Sequence, residues 1–176
     1  RFSFDSIHRY AERLGVPVFT ISEPKFSLDV SDDYNYLTFE KNQVYDFFND
    51  FDRILRLDDD VLITPFCADL FALPRGKIYA TREDLGSRLR HRRRQIKVIK
   101  KALGECPGWR KFYINSGVIL SEAVHRSIFS FSIQDLIHKD LGAFKEQNYL
   151  NHNIFSRGLP VVDLGCDYNF MKIFEE

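Results

Sequence analysis

The sequence predicts an α/β layered domain. Three observations carry that expectation. Helix-like and strand-like apolar patterns alternate along the whole length. Apolar residues make up 44% and charged residues 28%, a globular balance rather than a disordered one. The 176 residues suffice to bury one core, and no linker-like stretch divides them, so residues 1–176 read as one domain.

Ile7, Tyr10, Ala11 and Leu14 fall at helical spacing, with Gly15 as a stop. Residues 16–21 read as a short buried strand, and 22–33, polar and interrupted by Pro24, as a loop. A helix is expected over 36–48, with Leu37, Val44 and Phe48 on its core face and Lys41 on the same general side. Residues 53–57 form a strand that halts at Asp58-Asp59-Asp60 and resumes at 61–63, before Pro65. A strand over 77–80 precedes a basic helix over 86–103. Its apolar stripe (Leu85, Leu89, Ile96, Ile99, Leu103) breaks near Arg92, and Gly104, Pro107 and Gly108 end it. A strand over 113–120 is interrupted by Asn115-Ser116-Gly117. Helices over 124–137 and 144–155 and a strand over 159–164 complete the chain.

The formal charge is zero, which excludes a bulk attraction for nucleic acid or an anionic surface. No nucleic-acid partner is expected. The charge is uneven, however: Arg88, Arg90, Arg92, Arg93, Arg94, Lys97, Lys100 and Lys101 crowd one segment. That run reads either as a surface for an anionic acceptor, a lipid surface or phosphates, or as the solvated face of a packed helix. Cys67, Cys106 and Cys166 are far apart and lack CxxC spacing, so neither a zinc site nor a disulfide framework is expected. A reducing, cytoplasmic compartment fits. The five histidines show no metal-ligand spacing. Residue 1 is Arg and the one methionine is Met171, so the chain reads as a piece of a longer one.

The acid triplet is the sharpest motif. Like charges at close range raise one another's pKa, and burial adds a desolvation cost; a divalent cation removes both penalties. Carboxylate oxygens suit Mg²⁺ or Mn²⁺, which keep positions open for phosphate oxygens. Strand alternation would put Asp58 and Asp60 on one face and Asp59 on the other. The alternative is a solvated acidic turn.

The stretch "DRILRLDDDVLITP" resembles the strand-DxD-strand of GT-A glycosyltransferases, and is most similar to glycosyltransferase family 8, the glycogenin and bacterial galactosyltransferase group. Four further segments are similar to elements of that family, in its order: the helix "LTFEKNQVYDFFNDF" with Lys41 upstream of the DxD, the strand "YINSGVIL", the helix start "KEQNYLN" and the late "LGCDYNFM". The similarity runs from about residue 36 to residue 171. Two family features have no counterpart here, the opening strand and the closing His-x-x-Gly-x-x-Lys element.

The resemblance implies a GT-A-like mixed sheet flanked by helices, and metal-dependent transfer of a hexose from a UDP-linked sugar, with retention, to a glycan, protein or lipid-linked acceptor. It gives Asp58 and Asp60 the Mn²⁺ or Mg²⁺. Lys41, Asp58, Asp59, Asp84, Asn115, Ser116 and Gly117 fall to the donor, and Glu146 and Gln147 to the region of the anomeric carbon. Asp84 is preferred over Glu83 as the sugar-contacting acid. Each position also has a bland reading: an exposed helix lysine at 41, a strand bulge at 115–117, a solvated turn at 82–84, and dipole complementation at 146–147. Two rivals remain. A haloacid-dehalogenase-like phosphatase also places DxD after an apolar strand, with Asp58 as nucleophile and Asp60 as acid/base. A non-catalytic module would bind through the basic helix.

Overall fold

The sheet is built around one reversed strand. In the computed structural model, which describes residues 2–26, 37–107, 109–132, 136 and 138–171, four strands lie in the order β1-β3-β2-β4. These are β1 (Arg53–Leu57), β2 (Ile78–Arg82), β3 (Ile114–Glu122) and β4 (Val161–Asp163). β3 runs antiparallel to both β1 and β2, while β2 and β4 are parallel. The architecture is therefore a mixed α/β sheet flanked by helices.

α1 (Phe2–Leu14) has the expected face, burying Tyr10 and Ala11, and ends where Gly15 takes φ 66°. It fastens the chain that follows the acid triplet. The Tyr10 hydroxyl donates to Ala68 O and accepts from Leu70 N, both at 2.9 Å; Ser6 Oγ accepts from Ile63 N at 2.9 Å. Residues 16–21 have the β-branched and aromatic content of a strand, yet they pair with no described strand. The expected buried strand is corrected to an unpaired segment, with Phe19 56% exposed and leaning on Phe47 and Phe51. Side-chain pattern favours an extended backbone, but only a partner edge makes a strand.

The expected helix over 36–48 is also corrected. Among the described residues Leu37 is α-helical, Thr38–Gln43 winds as a 3-10 helix and α2 (Val44–Phe47) is α-helical again. Tyr36 and the greater part of the expected loop, 27–33, lie outside the described residues. β1 ends at Leu57, where Val61 N donates to Asp58 O at 3.2 Å and closes a turn over Asp59 and Asp60. Consequently 61–63 does not resume a strand.

α3 (Leu89–Leu103), introduced by a 3-10 turn over Gly86–Arg88, buries Ile96 and Ile99. The break in its stripe is filled by Arg92 itself, whose guanidinium lies 4.2 Å from the Phe144 ring centroid and 5.3 Å from that of Tyr113. The expected helix over 124–137 opens instead as a 3-10 helix over Ala123–Phe129, capped reciprocally by Glu122 and His125; Leu136 is α-helical, and residues 133–135 and 137 lie outside the described residues. α4 (Lys145–Ser156) turns polar residues inward: Asn151 accepts from Ile114 N at 2.8 Å and donates to Ile114 O at 2.9 Å, locking the helix to the start of β3.

One face of the sheet packs Ile78, Ala80 and Ile119 against Leu150 and Ile154 of α4 and Val44 of α2. A second cluster, with Ile96, Ile99, Trp109 and Leu141, lies between α3 and α4. Full burial of each such aliphatic side chain contributes about 2 kcal/mol. The opposite face is covered thinly, by Leu70, Tyr79 and Leu120 with Leu55 and Val162 at its margin. β1 is an outer strand. Asp52 O accepts from Ala123 N and Asp58 N donates to Gly117 O, so the even-numbered residues bond to β3. Arg53, Leu55 and Leu57 therefore direct their backbone groups away from it. Among the described residues no helix is long and apolar enough to cross a membrane.

Candidate functional site

Asp58 is the first residue past β1, and the β1–β3 pairing sets it beside Gly117. A Cβ at Gly117 would lie 2.9 Å from Asn115 Oδ1 and 3.2 Å from Asp58 Oδ2, so the missing side chain is what lets the two polar groups converge. The other Asp58 oxygen, Oδ1, accepts from Lys41 Nζ at 2.6 Å, and both side chains keep about a third of their surface open (27% and 32%). The 3-10 winding of Thr38–Gln43 thus delivers Lys41 to the end of β1.

Two cavities meet at this ion pair. A polar one of about 170 Å³ is lined by Lys41, Asp58, Ser116, Glu146 and Gln147, with Phe144 at its rim. A larger groove of about 670 Å³ runs along the free edge of β1, walled by Ile7 of α1, Val18 and Ile21, and Val44 and Phe47, and it also reaches Lys41 and Asp58. That volume lies in the range of small-molecule sites.

The floor of the polar cavity is held by α4. Gln147 Oε1 accepts from Ser116 N at 3.0 Å and from Asn115 Nδ2 at 3.3 Å, while its Nε2 donates to Glu83 Oε2 at 2.8 Å. Glu83, buried at the end of β2, also binds Arg92 at 2.7 Å and Arg88. Glu146 Oε1 accepts from Arg56 Nη1 at 3.1 Å, and Arg56 Nη2 donates to Ser116 O at 2.9 Å. β3 runs from Ile114 to Glu122, but its pairing with β1 ends at Val118, and its pairing with β2 shifts register between Ile119 and Ile114, so the expected interruption at Asn115-Ser116-Gly117 is present as a bulge.

The structure thus gathers Lys41, Asp58, Asn115, Ser116, Gly117, Glu146 and Gln147, as the sequence suggested. Two expectations need correction. Asp59 and Asp60 are both exposed in a turn, so strand alternation does not set the direction of Asp60. Asp59 itself lines the larger groove, and its backbone carbonyl accepts from Ser3 Oγ at 2.6 Å. Asp84 is not a cavity residue. Its carboxylate, fully buried, accepts from Arg82 Nε and Nη2 (2.7 and 3.2 Å) and from the backbone N–H groups of Phe112 and Tyr113 (3.0 Å each). Burial alone would raise its pKa. The Arg82 hydrogen bond, the two backbone donors and the Arg82 charge outweigh burial and hold it below the ordinary carboxylate value. Phe112 has φ 74°, so Asp84 pins a strained residue at the entry to β3. The acid that reaches the site is its neighbour Glu83.

Sequence reading passed over Glu83 in favour of Asp84, gave Arg92 no role beyond the basic run, missed Arg56, and did not single out Asn169 within the late segment, whose Nδ2 donates to Asn115 Oδ1 at 2.9 Å. Arg56 did leave a signal, a cation on the inward phase of the apolar strand RILRL. Burial pushes the Tyr113 phenol well above its ordinary value, so it stays protonated against Asn148. Burial, then the nearby Arg92 and Arg94 charges, lower His91.

Among the described residues no three His, Cys, Asp or Glu side chains gather as a metal-holding group. One Asp58 oxygen is already taken by Lys41. The donors at hand fit a divalent cation that draws its remaining ligands from phosphate and water, and do not fit a site closed by protein alone. Comparison with family models, with curated proteins and with solved structures gives no match.

Proposed function

We propose that the protein is a metal-dependent glycosyltransferase of GT-A type that moves a hexose from a nucleotide sugar, UDP-linked in the first instance, to a glycan, protein or lipid-linked acceptor. The observation that carries this reading is the Lys41–Asp58 pair at the junction of two unequal cavities. A nucleotide sugar has the same division: a flat nucleoside, a charged diphosphate and a polyhydroxylated ring. The larger apolar groove suits the nucleoside, the ion pair suits the diphosphate, and the cavity under Ser116, Glu146 and Gln147 suits the sugar. The order of strands, with a reversed β3 between β1 and β2, is compatible with this fold type.

In the proposed reaction the anomeric C–O bond to the diphosphate breaks and its electron pair leaves on the phosphate oxygen. The acceptor hydroxyl oxygen bonds to the anomeric carbon, and its proton passes to the departing phosphate. This same-face route retains configuration and needs no side-chain base. Glu146 supports that choice, since it is buried against Arg56 rather than free to act as one. Lys41 would neutralise the diphosphate, and Asp58 with Asp60 would hold the Mn²⁺ or Mg²⁺ ion. The ion would supply Lewis-acid stabilisation of the leaving group. Asn115 and Gln147 hold sugar hydroxyls, with Glu83 and Arg92 fixing Gln147 from behind.

Thermal denaturation with UDP-, GDP- and CDP-sugars, with and without Mn²⁺, tests the reading. The expected result is stabilisation by one nucleotide class, dependent on Mn²⁺ and abolished in Asp58→Asn. A flat response with every donor overturns it. Covalent phosphate on Asp58 after incubation with a phosphomonoester would establish a phosphatase instead.

A further inference from the structure

The charge of this molecule is sharply polarised. Residues 88–111 hold ten Arg and Lys against the one carboxylate Glu105, although the whole chain is neutral, so the rest is correspondingly acidic. Arg88 and Arg92 are spent on Glu83. The others have a different fate. Arg90, Arg93, Arg94, Lys97 and Lys101 are exposed, and so are Arg110 and Lys111 in the loop that follows. Among the described residues none of these seven pairs with a carboxylate. Their spacing along α3 places 90, 93/94, 97 and 101 on one side, opposite the buried Arg92, Gln95, Ile96 and Ile99.

We propose that this cationic strip docks the protein on an anionic phospholipid bilayer. Charge complementarity selects an anionic partner, and the shape of the strip selects a plane. α3 is committed to the core through Ile96 and Ile99, so it does not stand out as a helix that enters a nucleic-acid groove would. Among the described residues the exposed ring on α3 is His91, which already makes a T-shaped contact with Phe144 rather than offering an open stacking face. Anionic headgroups ask only for clustered cations within a Debye length, and a cluster of this size is sufficient. The acidic remainder is repelled by the same surface, which fixes the orientation. The first turns of α3 reach Glu83 and through it Gln147, so the docked strip begins beside the polar cavity. This inference does not need the cavity to handle a nucleotide sugar; if it does, the acceptor is one presented at the bilayer surface.

Co-sedimentation with vesicles tests it, using phosphatidylcholine alone and phosphatidylcholine with about 30% phosphatidylglycerol. The protein is expected to bind the anionic vesicles alone, and to lose at least roughly tenfold in partitioning when salt rises from about 0.05 to about 0.5 M. The combined variant Arg93→Glu/Arg94→Glu/Lys97→Glu should lose at least roughly tenfold at low salt, with an unchanged melting temperature and unchanged nucleotide response. The milder Arg93→Gln/Arg94→Gln/Lys97→Gln variant should fall between and covers the case of a misfolded reversal. Binding that is equal on neutral vesicles, absent from both, or displaced in favour of a DNA or RNA oligonucleotide at equal phosphate overturns the proposal. None of these outcomes touches the Mn²⁺-dependent donor response, which stands or falls separately.

Discussion

The ends of β1 and β2 each carry an acid, and the two are in opposite situations. Asp84, just past β2, is fully buried and accepts four hydrogen bonds from Arg82, Phe112 and Tyr113. Asp58, just past β1, has one side-chain partner among the described residues, Lys41, and its other oxygen lies beside Gly117. Saturation marks a carboxylate that the fold uses; an unfilled oxygen at the mouth of a cavity marks one the fold leaves for something else. Acidity after a strand therefore does not identify a site. The count of satisfied lone pairs does.

The largest expected effect breaks the comparison at its functional end. Asp58→Asn should reduce turnover by at least roughly a thousandfold, about 4 kcal/mol of barrier, while unfolding free energy changes by less than about 1 kcal/mol, as for an exposed pair. Donor-dependent turnover and urea denaturation read the two quantities. If Asp58→Asn unfolds the protein, the contrast is lost. Next comes Asp84→Ala, which strands Arg82 and two backbone donors. It should cost about 3 kcal/mol of stability, measured in urea, with turnover per folded molecule preserved. Smaller again is Gly117→Ala. The new Cβ, 2.9 Å from Asn115 Oδ1, pushes Asn115 and Asp58 apart. Donor affinity should drop about tenfold, or 1.4 kcal/mol, in calorimetric titration with Mn²⁺.

The smallest effect is on pH dependence. The folded pKa of Asp84 lies below its ordinary 3.8. Its contribution to stability is therefore complete above that value and is lost as pH falls through the folded pKa. Asp84→Asn should remove this part of the acid limb, seen as a shallower decline of urea midpoint below about pH 4.

Much of this was legible in the sequence, for identifiable reasons. β1, α3 and α4 follow from periodicity, and the convergence of Asp58, Asn115 and Gln147 follows from three motifs that each lie at a strand or helix end. The failures share a cause. Residues 16–21 have strand composition, but pairing is a property of two segments. Residues 61–63 have strand composition just beyond β1, yet the bond from Val61 N to Asp58 O turns the chain before them. Glu83 and Asp84 are neighbours of the same chemical type. Which one faces Gln147 depends on the β2–β3 register, shifted between Ala80 and Arg82, and no one-dimensional pattern records that.

The outward-facing backbone of Arg53, Leu55 and Leu57 has a practical corollary. Among the described residues no strand pairs with that ladder, and an edge of this kind flanked by greasy walls is a template for any extended chain, including a neighbouring copy of the protein. Concentrated stocks should turn turbid with a steep dependence on concentration, and a small molecule lodged along that margin should keep them clear.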